Sequence, residues 1–306
     1  MIDFRVFHLQ QNKGHGIARR KGLKECRNSL VALMDSDDIN LPNRFESQLR
    51  AFYEHPELSI VGGQIAEFIG GSNNITGIRE VPGKDHEIKK YMKKRCPMNQ
   101  VSIMFRKEEV ERAGGYLDWY CEEDYYLWAR MALAGCNFYN VPDTLVNVRV
   151  GDEMSARRGG MKYFMSEARM QFFLYKNGII GFPLYLYNVL LRFCGEVLIS
   201  SKLRVKLFKL FRKQVNTETK QKQPDQKKHT ISEIKEYPSF SVSMCVYGGD
   251  NAEWFDEALE SVINQTVKPQ EIVLVVDGPI PDSIQNVIDK YKQICSGESG
   301  GVSVSE

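Results

Sequence analysis

A short apolar run followed at once by a crowded acidic turn constrains this chain more than any other feature. Val31–Met34 is typical of a buried parallel strand, and Asp35, Asp37 and Asp38 follow it within four positions. Ligands of parallel sheets bind beyond the carboxyl ends of the strands. Because carboxylates this close repel one another, Mg²⁺ or Mn²⁺ carrying a diphosphate would suit them. A solvated turn that caps a helix beginning at Asn43 explains the residues equally well, so the turn alone leaves both interpretations open.

The composition is that of an ordinary globular protein. The 306 residues are 42% hydrophobic and 26% charged, and the net charge of +2 gives no reason to expect nucleic acid as a partner. Seven scattered cysteines without a CxxC pair argue against a zinc knuckle or a disulfide framework, and for a reducing compartment. The N-terminal MIDFRVFHLQ has no leader pattern, so we expect no signal peptide.

Two further stretches could carry chemistry. The glycines of Asn12–Gly16 come just before a predicted helix that contains Arg19. They indicate either a phosphate-facing turn or a plain glycine turn. The acids of Glu122–Asp124 open another predicted helix, Tyr125–Ala134. They either favour the helix dipole or supply a general base, and the spacing alone leaves both possibilities open.

Between residues 73 and 150 the sequence predicts a loop and several short strands. We expect a loop over Asn73–Gly83, a strand over Asn99–Phe105, and two short strands within Phe138–Val150 that are broken at Pro142 and Asp143.

The chain changes character after Ser155. Gly160–Asn177 is predicted to be helical, and the 14 uncharged residues of Gly178–Leu191 are too few to cross a bilayer, which takes about 20. Lys202–Lys213 combines six basic residues with an amphipathic pattern and no acid. Such a segment lies on an anionic membrane surface or packs on its own domain. Gln214–Glu236 is predicted to be a flexible linker.

Regular structure resumes beyond the linker. Phe240–Val246, Ala252–Gln265, Glu271–Val276 and Asp282–Ile294 are predicted as strand, helix, strand and helix. The predicted segments are therefore 1–155 (first part of the main domain), 156–213 (amphipathic helices), 214–238 (linker), 239–295 (nucleotide-binding part of the main domain) and 296–306 (disordered tail).

The two ends of the chain, taken together, resemble a nucleotide-sugar glycosyltransferase of family 2 with the GT-A fold. The resemblance rests on Val246-Tyr247, ALESVINQT at 258–266, VVDG at 275–278, NKGHGIARRKG at 12–22, the DxD triplet Asp35-Ser36-Asp37 and EDYYLWAR at 123–130. Within the family, the chain looks most like bacterial capsule and exopolysaccharide enzymes of the amylovoran type. The first third of the family pattern stands last here, so the chain looks circularly permuted. Alternatively, fragments of tandem transferases complete each other between chains.

This resemblance implies an α/β fold with a mostly parallel sheet flanked by helices, together with C-terminal amphipathic helices. It implies that Asp124 is the catalytic base and that Asp37 binds Mn²⁺ or Mg²⁺. The implied nucleotide and donor residues are Val246, Tyr247, Asp277, Asn12, Gly16, Arg19, Asp35, Ser36 and Arg149. The implied acceptor region comprises Gly114, Gly115, Tyr116, Trp119 and Glu123.

The implied reaction is an inverting transfer from a nucleotide-diphosphate sugar, by resemblance a UDP-sugar, to a lipid-linked or oligosaccharide acceptor of a surface polysaccharide. The expected location is the cytoplasm, peripherally on the inner face of an anionic membrane. One alternative is a non-catalytic nucleotide-sugar-binding protein on the same fold. A nucleotidyltransferase is another, although the glycine-rich, Arg/Lys-bearing signature of that class does not follow Phe240–Val246.

Overall fold

Nine strands in the described parts of the chain form one sheet. The structure is a computed structural model that describes residues 1–151, 159–199 and 237–297. The strands are β1 (Asp3–Leu9), β2 (Leu30–Met34), β3 (Ile39–Asn40), β4 (Ile60–Phe68), β5 (Ile75–Arg79), β6 (Met104–Arg106), β7 (Phe138–Arg149), β8 (Phe240–Tyr247) and β9 (Glu271–Asp277).

Helices cover both faces of this sheet. They are α1 (His15–Glu25), α2 (Arg44–Glu54), α3 (Asp85–Met92), α4 (Lys107–Arg112), α5 (Glu123–Leu133), α6 (Met161–Lys176), α7 (Phe182–Phe193), α8 (Ala252–Ile263) and α9 (Asp282–Ser296). A π-helical turn, Cys194–Leu198, follows α7.

The strands of the C-terminal segment lie between strands of the N-terminal segment. The spatial order is β1-β9-β8-β2-β6-β4-β7-β3, with β5 beside β4. The four neighbours β1, β9, β8 and β2 are mutually parallel, as are β4 and β7. β6, β5 and β3 add antiparallel pairings. The expected α/β fold with a mostly parallel sheet flanked by helices is confirmed.

The central strands are apolar throughout because both of their faces are covered. All residues of β2 and β9 are buried. Ala32 and Met34 face a core with α2, α8 and α9, whereas Val31 and Leu33 face a core with α1, α3, α5 and α6. The alternation follows from the two-residue period of a strand.

Three local predictions were wrong. The expected loop over residues 73–83 contains β5, which pairs with the end of β4. The expected strand over residues 99–105 is a 3₁₀ turn, Gln100–Ser102, followed by the short β6. The expected break at Pro142 and Asp143 is a bulge inside one continuous β7. Gly63 of β4 pairs with Val141 of β7, and the next residue, Gln64, pairs with Thr144. Pro142 and Asp143 are therefore skipped in the pairing, so Pro142 needs no ladder hydrogen bond.

The helices after residue 159 pack on the main domain. Met170 and Leu174 of α6 are buried in the same core as Trp128 of α5. The Asn188 side chain of α7 donates to the carbonyl of Lys93, 2.9 Å away. None of the helices in the described ranges is both long and apolar enough to cross a membrane. The predicted amphipathic segment 202–213, nearly all of the linker and most of the tail lie outside the described residues.

Candidate functional site

The carboxyl ends of four parallel strands bring the two ends of the chain to one edge of the sheet. Asp277 ends β9 and pairs with Tyr247 of β8 on one side and with Leu9 of β1 on the other. Asp35 follows the last residue of β2, which pairs with Met244 of β8. The predicted donor residues of both segments therefore share the edge at which ligands of parallel sheets bind.

Asp277 holds the glycine-containing turn that precedes α1. Its Oδ1 accepts the backbone N–H of Lys13 at 2.8 Å and its Oδ2 accepts that of Gly14 at 2.9 Å. Asn12 Oδ1 also accepts the Gly14 N–H, at 3.1 Å. Gly278 has a φ of 89°, and a Cβ there would lie 2.6 Å from the Asn12 nitrogen. The two segments therefore meet here through backbone contacts that only glycine permits.

Asp250 joins the acidic edge, although it belongs to none of the motifs that predicted site residues. Its Oδ2 accepts the Ser36 hydroxyl at 2.8 Å and the Tyr247 N–H at 3.1 Å. Ser36 is thus tied to the turn after β8. Val246 is buried in that strand, whereas Tyr247 is 39% exposed at the edge. The available signal was an acid in the short turn after a predicted strand, the same pattern that pointed to Asp35.

The acidic edge carries charge that the protein only partly compensates. Burial, followed by the charges of Asp35 and Asp250, raises the pKa of Asp37 to about 6. Burial and then Asp37 raise the pKa of Asp38 well above its ordinary value. Asp38 Oδ1 accepts the backbone N–H of Arg149 at 2.9 Å, so this carboxyl fastens the turn to β7. Asp35, which also pairs with Arg19, and Asp37 remain as the two carboxylates that a bound cation would stabilise.

This pair fits a divalent cation that arrives with a diphosphate. Within the described residues, no three His, Cys, Asp or Glu side chains are grouped so that they could hold an ion. Mg²⁺ in phosphate-transferring sites takes one or two carboxylates and completes its shell with phosphate oxygens and water. The fit therefore needs only Asp35 and Asp37, and the charge of Asp35 contributes, after burial, to the raised pKa of Asp37.

Arg149, a predicted diphosphate ligand, is engaged by the protein itself. Its Nη2 lies 2.6 Å from Glu257 Oε2 and its Nε donates to the Asp37 carbonyl at 3.2 Å. The guanidinium lies 4.7 Å from the ring centre of Phe68 and 4.5 Å from that of Trp254. The side chain is 10% exposed. Arg149 thus stabilises the acidic turn through the Asp37 carbonyl. Its direct contact with a diphosphate stays a prediction.

Arg19 connects the donor edge to α5. Its Nη2 lies 3.0 Å from Asp35 Oδ1 and its Nη1 lies 2.9 Å from Glu123 Oε1. Burial acts to lower the pKa of Arg19, but the two carboxylates together raise it above its ordinary value. At the start of α1, a Cβ on Gly16 would lie 3.5 Å from the backbone of Asp118. The turn before α1 therefore runs against the loop predicted to face the acceptor.

Two arginines donate hydrogen bonds to the backbone of this loop, which contains Gly114–Trp119. Gly114 and Gly115 have φ values of 90° and 65°, which favour glycine. Arg130 of α5 donates to the Gly115 carbonyl at 2.7 Å, and Arg20 of α1 donates to the Tyr116 carbonyl at 2.8 Å. The Tyr116 side chain is fully buried. The glycines and Tyr116 therefore shape the loop, whereas Trp119 lies farther along it.

Asp124 is partly buried at the start of α5. Its Oδ2 accepts from the Cys96 thiol at 3.6 Å and its Oδ1 accepts the Tyr125 N–H at 2.6 Å. Glu122 is buried, and burial followed by the charge of Glu167 raises its pKa. Burial and then Asp124 raise the pKa of Glu123, which Arg19 holds. Glu122 is therefore enclosed and Glu123 is paired with Arg19, and the role of Asp124 as general base stays a prediction.

Comparison with known proteins identifies the family of the chain. The sequence model of Glycosyl transferase family 2 matches residues 2–112 and 241–305. An uncharacterized glycosyltransferase of Haemophilus influenzae is 40% identical over 210 residues, which cover 69% of this chain and 78% of the relative.

Two relatives of named activity are also similar. The UDP-Gal:alpha-D-GlcNAc-diphosphoundecaprenol beta-1,3-galactosyltransferase of Escherichia coli is 36% identical over 200 residues, or 65% of this chain and 72% of the relative. The amylovoran biosynthesis glycosyltransferase AmsE of Erwinia amylovora is 36% identical over 188 residues, or 60% of this chain and 70% of the relative.

Proposed function

The chain belongs to glycosyl transferase family 2, and we propose that it moves a sugar from a UDP-sugar to a lipid-linked saccharide of a bacterial surface polysaccharide. It is a glycosyltransferase, and its relatives include enzymes of amylovoran and O-antigen biosynthesis. One observation carries the proposal. Arg19 joins Asp35 of the donor edge to Glu123, the neighbour of the predicted base. The name of the galactosyltransferase relative, with its UDP-sugar donor and diphosphoundecaprenol-linked acceptor, supports this choice of substrates.

The donor is proposed to lie along the acidic edge. Tyr247 and Asp277 flank the nucleoside, Asp35 meets the ribose or sugar phosphate, and Asp37 ligates the divalent cation. When bound, that cation neutralises the charge that develops on the diphosphate leaving group. Asp250 fixes Ser36 beside this pair and adds to the field that attracts the cation.

Transfer is proposed to be a single inverting displacement. Asp124 takes the proton from an acceptor hydroxyl while that oxygen bonds to the anomeric carbon and the bond from that carbon to the diphosphate breaks. The acceptor is expected on the side of Trp119 and the loop before α5. The role of Arg19 is to neutralise Asp35 and Glu123 where the two substrates meet.

We propose that the unusual order of the elements is a circular permutation. The placement of β8 and β9 between β1 and β2 supports this, because family motifs from both ends then share one edge. A linker of about 25 residues has an r.m.s. reach of roughly 25–30 Å, enough for a protein of this size. The alternative is an exchange in which residues 240–296 of one copy complete the sheet of another.

The lipid-linked acceptor implies action at a membrane surface, and we propose peripheral association with the inner face of the cell membrane. The basic amphipathic pattern of Lys202–Lys213 supports this proposal. Flotation with anionic liposomes tests it, because a protein that stays in the soluble fraction would contradict it.

The proposed donor site is tested by Mn²⁺-dependent UDP binding to size-selected monomer. Asp37→Ala and Asp277→Ala alter opposite ends of the chain, and each should weaken binding by about tenfold or more, because a lost charge-assisted hydrogen bond costs about 1.5–3 kcal/mol. Asp143→Ala, on β7, is the control and should bind like wild type. Circular dichroism of each variant checks that the fold is intact.

Binding by monomer together with both losses supports one site built from the two segments. Binding by dimer alone would support exchange between copies. If wild type binds no UDP at all, the proposed donor is wrong.

A further inference from the structure

A groove of about 290 Å³ lies between the loop that ends at Tyr120 and the first half of α6. Trp119, Tyr120, Met165 and two cations, Lys162 and Arg169, line it. Asp118, an exposed acid, and Ser166 complete the lining. The groove lies outside the donor edge, on the side of Trp119 where the acceptor is expected, and its two cations take part in none of the steps proposed above.

The two cations share one face of α6 and rest on aromatic rings. Lys162 and Arg169 are seven residues apart, which places both on the same side of a helix. Lys162 Nζ lies 4.0 Å from the ring centre of Tyr120, and the Arg169 guanidinium lies 4.8 Å from that of Trp119. Both side chains are exposed. Stacking on a ring orients such a cation while its N–H donors stay available.

Both cations also lack an ion-pair partner within the described ranges, where Arg192 of the neighbouring α7 is paired with Glu167. The groove therefore presents two charges that the described protein leaves uncompensated, apart from the single acid Asp118 at its lining. A site of this kind is complementary to a small dianion.

An exposed apolar surface continues from the groove along α6 and α7. Six large apolar side chains on these helices are each 45–55% exposed: Met161, Met165, Phe172, Phe182, Leu186 and Leu190. Met165 belongs to both the groove and this surface. The three residues of α7 are four positions apart and form one stripe. Large apolar side chains that are exposed in such number on neighbouring helices are typical of an interaction surface.

Packing and hydrogen bonds connect the groove to the helix that carries the predicted base. The ring centre of Trp119 lies 4.4 Å from that of Tyr126, which is two residues beyond Asp124 on α5. Trp119 Nε1 donates to Ser166 Oγ at 2.9 Å, and that hydroxyl donates to the Tyr120 carbonyl at 2.5 Å. The loop is thereby fixed to both α5 and α6, and these contacts set the position of the groove relative to Asp124.

We propose that this groove binds the diphosphate of the polyprenyl-linked acceptor, with Lys162 and Arg169 as its cations and the apolar surface of α6 and α7 along the isoprenoid chain. The identity of the acceptor rests on the proposed function, but binding can be measured without any transfer. The combination selects this occupant, because two uncompensated cations lie beside exposed apolar side chains of the same helix and its neighbour. A diphosphate joined to a hydrocarbon chain matches both parts at once.

The probe is farnesyl diphosphate, titrated by calorimetry in the presence of EDTA and excess UDP. Removal of divalent cations prevents the diphosphate from binding at Asp35 and Asp37. Lys162→Ala and Arg169→Ala should each weaken binding by about tenfold or more, as expected for a lost charge-assisted hydrogen bond. Arg169→Lys should fall between wild type and Arg169→Ala, because lysine keeps the charge but lacks the planar fork.

Lys176→Ala is the matched control. This lysine is exposed on the same helix but does not line the groove, so its variant should bind like wild type. Farnesol and inorganic diphosphate should each bind more weakly than farnesyl diphosphate, because each matches only one part of the site. Thermal unfolding of every variant checks the fold, and all three altered side chains are exposed.

Failure of this inference and failure of the proposed function give different results. If wild type does not bind farnesyl diphosphate, or if both alanine variants bind it like wild type, the groove is not the diphosphate site. If inorganic diphosphate binds equally well, the apolar surface has no part in it. If the binding pattern is as expected but no sugar is transferred to a lipid-diphosphate acceptor, the proposed function fails and the groove stands.

Discussion

Arg149 Nη2 lies 2.6 Å from Glu257 Oε2, and this ion pair joins β7 to α8 across 108 positions of the chain. The same guanidinium donates to the Asp37 carbonyl, and the Arg149 backbone N–H donates to Asp38. The acidic turn is therefore supported by a side chain that depends on both segments. The consequence is that residues outside the donor edge should influence cation and donor binding.

Arg149→Ala should lower the free energy of unfolding by about 2–3 kcal/mol, because it removes three hydrogen-bonded contacts, to Asp37, Gly70 and Glu257, and the packing between two rings. It should also weaken Mn²⁺-dependent UDP binding, since the Asp37 backbone loses its support. Arg149→Lys should lie between wild type and Arg149→Ala in both stability and binding, because lysine keeps the charge but lacks the planar set of donors that reaches several acceptors at once. Urea unfolding and calorimetry measure the two effects.

Glu257→Gln should cost less than about 1 kcal/mol, because that carboxylate is 52% exposed. Glu253→Gln on the same helix is the control and should change neither property. If Arg149→Ala has the same free energy of unfolding as wild type, the contacts of Arg149 do not stabilise the fold.

Asp124→Asn should lower kcat by about 10²- to 10⁴-fold, the usual contribution of a general base. Its Kd for UDP with Mn²⁺ should stay at the wild-type value, because Asp124 lies on α5 and outside the donor edge. Single-turnover transfer assays and calorimetry separate the two quantities, with Asp143→Asn as the control. An unchanged rate would exclude Asp124 as the base, and a wild type that binds donor without transfer would favour the non-catalytic alternative.

Gly22→Ala should destabilise the protein by about 1–3 kcal/mol through overpacking. A Cβ at this position of α1 would lie 2.4 Å from Ser243 Oγ on β8. Ser243 Oγ is buried and has no hydrogen-bond partner within the described ranges, so Ser243→Ala alone should be close to neutral or stabilising. In the double variant the clash is gone, and alanine favours the helix over glycine by roughly 0.5–1 kcal/mol.

The double variant should therefore be at least as stable as Ser243→Ala when measured by urea unfolding. This rescue depends on α1 lying against β8, and so it reports directly on the packing of the two segments. Equal destabilisation by Gly22→Ala in both backgrounds would contradict that packing.

Glu271→Gln should reduce stability at pH 7 by about 1.5–3 kcal/mol, because Glu271 accepts three charge-assisted hydrogen bonds. Its donors are Arg5 Nη1 at 2.7 Å, the Arg27 N–H at 2.9 Å and the Ser241 hydroxyl at 2.6 Å. Burial acts to raise the pKa of Glu271, but these donors outweigh it and lower the pKa below its ordinary value of 4.5.

On acidification the unfolded chain binds a proton at this glutamate before the folded protein does. The stabilisation is therefore complete above about pH 4.5 and is lost as the pH falls through the lowered pKa. Unfolding free energies of wild type and Glu271→Gln should converge as the pH falls below about 4.5 and through the lowered pKa, whereas Glu253→Gln should follow wild type throughout. A difference that is constant with pH would contradict this linkage.

The sequence alone was sufficient where neighbouring residues carry the information. Val31–Met34 and Glu271–Val276 are apolar runs that only a strand covered on both faces would need, and both are buried strands. The DxD triplet and the acids before Tyr125 could be predicted as site candidates because their carboxylates lie within a few consecutive positions. The family followed from such motifs, and the match over residues 2–112 and 241–305 agrees with it.

Tertiary structure decided everything that depends on partners distant in the chain. Asp250 joins the acidic edge through Ser36, Arg149 is engaged by Glu257 and Asp37, and β5 exists because it pairs with β4. The local sequence around Asp250 and Arg149 is equally compatible with side chains that have no partner, and the sequence of β5 is equally compatible with a loop. Local periodicity reports only which face of an element is buried, whereas the partner of a side chain is set by the register and crossing of elements far apart in the sequence.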